Sequence, residues 1–265
     1  MTNHPRWALI LGASSGFGEA TSLELAHAGY DIFGVHLDRK ATQANAERIV
    51  AEIRGLERQA EFHNVNAADA ARRTEVCDAI AHKLSRTDPG HPLAVVLHTL
   101  AFGTLKPFIA DKPEDQVTQA QLEMTIDVMA NSLVYWIQDL CQRKLIGKGT
   151  RIFAMTSAGG HRVWPTYGAV SAAKAALEAH VRQLAVELAP RGTSVNAIRA
   201  GVTDTPSLRK IPGHEEMMAQ ILPRHPGKRL TATQDVARFI RSMMAKGTEW
   251  CTGNVIGVDG AEFVI

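Results

Sequence analysis

The sequence predicts an α/β chain, with one doubly wound parallel sheet in a single domain and helices on both faces. Short apolar runs alternate with longer stretches of helical periodicity from one end to the other. No internal repeat, low-complexity tract or linker rich in Pro, Gly or Ser divides the 265 residues, so residues 1–265 read as one domain. Parallel strands need crossovers, and helical crossovers cover both sheet faces.

The first strand is the apolar run 7–11, and a helix follows over 18–28. A second strand covers 32–36 and a second helix 42–56. The third strand ends near Val65, ahead of a helix over 68–84. The fourth strand, 93–99, leads to a long helix over 119–141. Strands at 151–156, 194–200 and 254–258 are separated by helices over 168–188 and 233–245. The segment 203–230 is the least regular, interrupted by Pro206, Pro212, Gly213, Pro223, Pro226 and Gly227, which suggests a lid rather than framework.

Composition excludes several classes. With 45% hydrophobic and 21% charged residues the chain is neither disordered nor fibrous. Lys and Arg number 29 against 27 Asp and Glu, which gives no electrostatic argument for nucleic acid or an anionic membrane. Cys77, Cys141 and Cys251 form no Cys-x-x-Cys pair and lie near no His cluster, so no metal site is expected. No run approaches the ~18 apolar residues of a membrane span, and the first run is too short for a signal peptide. A cytoplasmic protein, used as synthesised, is the expectation.

The first strand runs into Gly12, Ala13, Ser14, Ser15, Gly16, Phe17 and Gly18, where a helix opens. Glycines allow positive φ and close backbone approach, and a helix start offers free N–H groups to a pyrophosphate. Such a turn at the first strand–helix junction reads as a dinucleotide site. Cofactor choice is read at the end of the second strand, where an acid suits ribose hydroxyls and a base suits a 2′-phosphate. That position is His36, followed by Asp38, Arg39 and Lys40, and the basic pair favours NADP(H) over NAD(H).

The sharpest signal is the segment from Ser157 through Ala158, Gly159, Gly160, His161, Arg162 and Trp164 to Tyr167, with Lys174 seven residues further on. Together with the glycine turn, Val195-Asn196-Ala197 and the tail 253–260, it resembles the short-chain dehydrogenase/reductases over nearly the whole length. The resemblance implies a Rossmann-like fold and a nicotinamide cofactor. Four departures from the common pattern narrow it. The usual tyrosine four residues before the lysine is Val170; the usual Asn-Asn-Ala-Gly is His98-Thr99-Leu100-Ala101; a helical asparagine falls at Met129; and Pro-Gly is Ala200-Gly201. All four resemble the enoyl-acyl-carrier-protein reductase branch, whose tyrosine and lysine are seven residues apart, and the ungapped glycine turn resembles its shorter, NADPH-using variety.

The displaced tyrosine has a physical rationale. In a helix, four residues advance ~6 Å and seven advance ~10.5 Å, both returning to nearly the same face. When hydride attacks a ketone, charge develops on the oxygen bonded to that carbon. When it attacks the β-carbon of an enoyl thioester, charge develops on the far carbonyl oxygen, and the stabilising donor must be displaced accordingly. Tyr167 is therefore expected to donate to the thioester oxygen, and Lys174 to hold the nicotinamide ribose and favour proton donation. Ser157 matches the family's catalytic serine. The resemblance also implies that Asn64 and Val65 hold adenine, that Leu100 and Ala101 line the ribose and nicotinamide side, and that Thr205, after Gly201, holds the carboxamide. His98 is expected to be a buried structural residue.

The apolar residues Leu208, Ile211, Met217, Met218, Ile221 and Leu222 of the lid are able to cover an acyl chain. Arg209, Lys210, Arg224, Lys228 and Arg229 around it could meet an acyl carrier protein. Leu133, Val134, Tyr135, Trp136, Ile137 and Leu140, with Leu177, Val181, Leu184 and Leu188, exceed what one helix face needs, which predicts a homo-oligomer. The resemblance implies a tetramer. The expected activity is reduction of an enoyl thioester in fatty-acid synthesis. The alternatives are a carbonyl, 3-oxoacyl or hydroxysteroid reductase, and a non-catalytic nucleotide-sensing module.

Overall fold

Strand β1 (Arg6–Leu11) is buried from Trp7 onward, so both its faces must be covered. Its side chains alternate between two apolar layers: Leu9 and Leu11 enter one, Ala8 and Ile10 the other. The computed structural model describes residues 6–87 and 89–265. The other strands are β2 (Tyr30–His36), β3 (Ala60–Asn64), β4 (Val95–His98), β5 (Arg151–Ser157), β6 (Ser194–Ala200) and β7 (Val255–Val258). They form one seven-stranded sheet in the order β3-β2-β1-β4-β5-β6-β7, every pairing parallel.

Helices α1 (Gly16–His27), α2 (Gln43–Gly55) and α8 (Thr233–Ser242) cover one face through Leu25, Ile49, Ile53, Val236 and Ile240. Helices α3 (Ala70–Thr87), α5 (Ser132–Gln142) and α6 (Gly168–Leu188) cover the other through Ile80, Leu133, Trp136, Leu177 and Val181. The strand order reverses between β1 and β4, and a crevice at the carboxyl ends of strands beside such a reversal is where α/β sheets take ligands. Register brings the candidate residues to that edge: Leu11 pairs with His98, His36 with Asn64, and Ser157 with Ala200.

The sequence elements are all present, with two differences. The long helix expected over 119–141 is α4 (Gln119–Ile126), then a wider π turn (Asp127–Asn131), then α5. Such a turn inserts a residue into the helical ladder and is characteristic of functional positions. Here the inserted turn places Ser132 against His98. Secondly, the apolar residues that predicted a partner chain are mostly spent within the protomer. Leu133, Trp136, Ile137, Leu140, Leu177, Val181, Leu184 and Leu188 are all buried in the core, leaving Val134 and Tyr135 half-buried. Their apolar excess therefore carries no argument for an oligomer, because the second stripe packs on neighbouring helices of the same chain.

The segment 203–230 contains a short turn of helix (Leu208–Lys210) and α7 (His214–Arg224), in which no residue is fully buried. Both ends of it are pinned. Val202 N–H donates to both carboxylate oxygens of Glu262 at 2.9 and 3.1 Å. His225 accepts at Nδ1 from Gly227 N–H at 3.0 Å, so its Nε2–H donates to the Asp259 carbonyl, also 3.0 Å away. No helix among the described residues is long and apolar enough to cross a membrane.

Candidate active site

The glycine turn is shaped by contacts only glycine allows. Gly12 and Gly16 have φ of +96° and +57°. A Cβ on Gly18 would lie 2.0 Å from the Gly12 carbonyl oxygen, and one on Gly12 would lie 3.0 Å from that of Thr99. Ser15 precedes α1 with no side-chain cap, which leaves the first N–H groups of the helix open to an anion. Phe17 turns into the core. Thr205 lies across the turn, its methyl 3.6 Å from the Cβ position of Gly16. The cradle fits the pyrophosphate of a dinucleotide.

At the end of β2 the residues differ from expectation. His36 is buried, and its Nδ1 is 2.8 Å from Asp38 Oδ2. Neighbouring Ser14, Thr42 and His36 all pull the Asp38 carboxyl downward against the upward effect of burial, which is the largest single influence, and the net direction is below the usual range. Arg39 is exposed. Asn64 is not free to meet a base, because its carboxamide is spent on Asp38: Asp38 N–H donates to Oδ1 at 2.9 Å and Nδ2 donates to the Asp38 carbonyl at 3.0 Å. Val65 N–H donates to the His36 carbonyl. Leu100 packs on the core, and Ala101 is exposed at the crevice.

Tyr167 is the last residue before α6, and its carbonyl accepts from Ser171 N–H, so it keeps helical spacing with Lys174. Its ring lies against Gly159, where a Cβ would come within 2.5 Å of the ring edge. Val170, where most relatives carry the phenol, is buried with Met129 and Ala173 in a small apolar cluster against which Tyr167 packs. Burial raises the phenol's pKa, and the Ser157 hydroxyl beside it works the other way. Ser157 Oγ accepts from Gly159 N–H at 3.1 Å, which leaves its own proton free to donate.

Lys174 is buried, and its ammonium donates to the Met155 carbonyl at 2.7 Å. Burial lowers its pKa to about 8, with Glu178 pulling the other way. One turn along α6, the buried Glu178 accepts from Thr156 Oγ1 at 2.7 Å and stands 2.8 Å from His161 Nε2. His98 is completely buried. Ser132 donates to the Val128 carbonyl, so it must accept from His98 Nε2–H at 2.8 Å, and Nδ1 is left without a partner. Burial, then the nearby Lys174, brings the His98 pKa down to about 3. The imidazole is neutral, as its structural role requires.

A family model described as enoyl-(acyl carrier protein) reductase matches residues 12–260. The chain is a short-chain dehydrogenase/reductase. It is 29% identical over 260 residues to 1-cyclohexenylcarbonyl-CoA reductase of Streptomyces collinus, covering 97% of this chain and 87% of that protein. It is also 29% identical over 253 residues to the 3-oxoacyl-acyl-carrier-protein reductase FabG of Aggregatibacter actinomycetemcomitans, covering 95% and 97%. Enoyl-acyl-carrier-protein reductase (NADH) from Aquifex aeolicus superposes with a TM-score of 0.84 at 19% identity, covering 99% of this chain and 98% of that one. Like its relatives, this dehydrogenase/reductase is an oxidoreductase.

The structure thus gathers Gly12, Gly16, Gly18, Thr205, Ser157, Tyr167 and Lys174 on one edge, whereas Asn64 and Phe17 serve the scaffold. Gly201 is buried, with its missing Cβ reserved for Thr231 and Glu262. Asp38 and His161 stand within the motifs without an assigned role, and Ser132 and Glu178 lie outside them, although Glu178 follows Lys174 by four residues on one helical face.

Two outcomes follow. Gly18→Ala puts a methyl into backbone, and is expected to cost about 2 kcal/mol or more and to weaken NAD(P)H binding at least tenfold, read by thermal melting and by nicotinamide fluorescence titration. Because the folded pKa of His98 (about 3) lies below its ordinary 6.5, unfolded chains take up the proton first as pH falls. Stability should therefore drop by up to a few kcal/mol from about pH 6.5 toward about pH 3. Denaturant melts of His98→Gln should show a shallower acid limb.

Proposed function

We propose that this oxidoreductase reduces the C=C bond of an enoyl thioester. The observation that carries the reading is the exchange at the start of α6: an apolar Val170 buried where a ketone-reducing tyrosine belongs, and a phenol one turn earlier beside Ser157. The glycine turn would hold the pyrophosphate of a nicotinamide dinucleotide, which when bound would supply the hydride. Tyr167 donates its hydroxyl to the thioester carbonyl oxygen, where negative charge collects when the β-carbon is reduced. Ser157, with its proton free, supports the same oxygen or the phenol. The Lys174 ammonium holds the nicotinamide ribose hydroxyls and favours release of the Tyr167 proton. Met129, Val170 and Ala173 keep water from the far side of the phenol. The half-buried Ile211, Met217, Met218 and Ile221 of the lid give an acyl chain an apolar cover.

The similarity to 1-cyclohexenylcarbonyl-CoA reductase, named for a conjugated thioester, supports this reading. The equal identity to a 3-oxoacyl reductase makes that activity the rival to be tested. The acyl group arrives on a carrier protein or on coenzyme A. Of the five basic lid residues, Arg209 is forked onto Asp204, Arg229 is forked onto Asp235 and Lys228 donates to the Pro223 carbonyl, leaving Lys210 and Arg224 to meet an acidic carrier. A homotetramer is the assembly the family resemblance favours.

For the cofactor, Asp38 carries more weight than Arg39 and Lys40. A carboxylate beside Ser14 at the glycine turn accepts ribose hydroxyls and repels a 2′-phosphate. We therefore read NAD(H) as the better ligand, reversing the preference for NADP(H) drawn from the two basic residues.

Crotonyl thioester should oxidise the reduced cofactor faster than acetoacetyl thioester does, by nicotinamide absorbance, and Tyr167→Phe should lower that rate on the order of a hundredfold or more. A faster acetoacetyl reaction would favour the carbonyl reading. Asp38→Ala should narrow the ratio of NADPH to NADH dissociation constants about tenfold or more, by fluorescence titration.

A further inference from the structure

The reaction scheme leaves one buried ion unexplained. Glu178 is buried at 3% exposure on the same face of α6 as Lys174 and one turn beyond it, and nothing in the scheme employs it. The two side chains converge on Gly160, where a Cβ would lie 3.4 Å from Lys174 Cβ and 3.7 Å from Glu178 Oε1. Adjacent residues of β5 receive them: the Met155 carbonyl takes the ammonium, and the Thr156 hydroxyl takes the carboxylate. A carboxylate sealed from water needs charge as well as hydrogen bonds around it. Its second oxygen faces His161, whose side chain is 48% exposed and packs edge-on against Phe263.

We propose that Glu178, fixed by Thr156 and His161, is a positioning residue whose buried negative charge keeps Lys174 an ammonium, ready for the cofactor's ribose. The proposal rests on reading Lys174 as the ribose-binding lysine. An ammonium in a dry site is disfavoured by its desolvation, and a carbonyl acceptor alone offsets only part of that. The groups facing the pair are Tyr167 before α6, Lys174 and Glu178 on it, His98 from β4, Thr156 from β5 and His161 from the following turn. Arg199 of β6 leans toward Asp259 and His180, further along α6, is turned to Asn131, so neither is paired with the Glu178 carboxylate. Lys174 is held at about 8, Glu178 opposing the larger effect of burial.

The test reads cofactor binding rather than turnover: NADH fluorescence titrations from about pH 6 to about pH 9.5, on the full chain, for the native protein and for Glu178→Gln and Thr156→Val. Native binding should weaken as Lys174 loses its proton. Glu178→Gln should move that midpoint down by about one pH unit or more, with binding at the acid end unchanged. Thr156→Val, which keeps the charge but loosens it, should move it less in the same direction, and it carries the test if the glutamine variant does not fold. An unmoved midpoint in both variants, or native binding that does not change with pH, would overturn the proposal. Lys174→Met controls the underlying assignment: weaker binding is expected, and native affinity would remove the lysine from the cofactor site and the proposal with it. No acyl substrate enters these measurements, so an enzyme that ignored crotonyl thioester would leave them intact.

Discussion

A charged amine held out of water at the edge of the sheet is the constraint around which the site is arranged. Lys174 reaches that position because α6 packs on β5 and β6 through Leu177 and Val181, and this packing brings its ammonium to the Met155 carbonyl. The neutrality of His98 and the anchoring of Glu178 are both consequences of the same dry environment. A second positive charge at His98 would sit close to the first, and burial together with Lys174 prevents it.

Around that charge the chain places the Ser157 and Tyr167 hydroxyls by backbone geometry. Gly159 lets the edge of the Tyr167 ring approach the turn after β5, and Thr166, with φ of +63°, turns the chain so that the phenol precedes the helix. Val170 closes the space a later tyrosine would use. The segment 203–230, held by Glu262 at one end and His225 at the other, carries α7, none of whose residues is spent on the core.

The fold was legible because strand burial writes itself into composition. The run 7–11 is apolar on both faces, and the observed strand coincides with it within a residue. The wider turn at Asp127–Asn131 was not legible, since a single inserted residue leaves the apolar periodicity of 119–141 nearly intact. Ser157, Tyr167 and Lys174 could be found by spacing, which a helix converts directly into position. Asp38 and Asn64 could not be assigned that way. Their roles depend on which loop lies beside which strand end, and Asn64 is consumed by the Asp38 backbone. The apolar surplus on α5 and α6 shows how much surface must be covered but not whether the cover belongs to the same chain, and here much of it is met within the protomer.

Labelled nicotinamide tests the central claim at the level of the atom. With the transferable hydrogen of the reduced cofactor replaced by deuterium, crotonyl thioester should yield saturated product carrying the label at C3, with hydrogen from solvent at C2, as read by NMR. Recovery of unreacted crotonyl thioester, with label appearing instead on the carbinol carbon formed from acetoacetyl thioester, would contradict it.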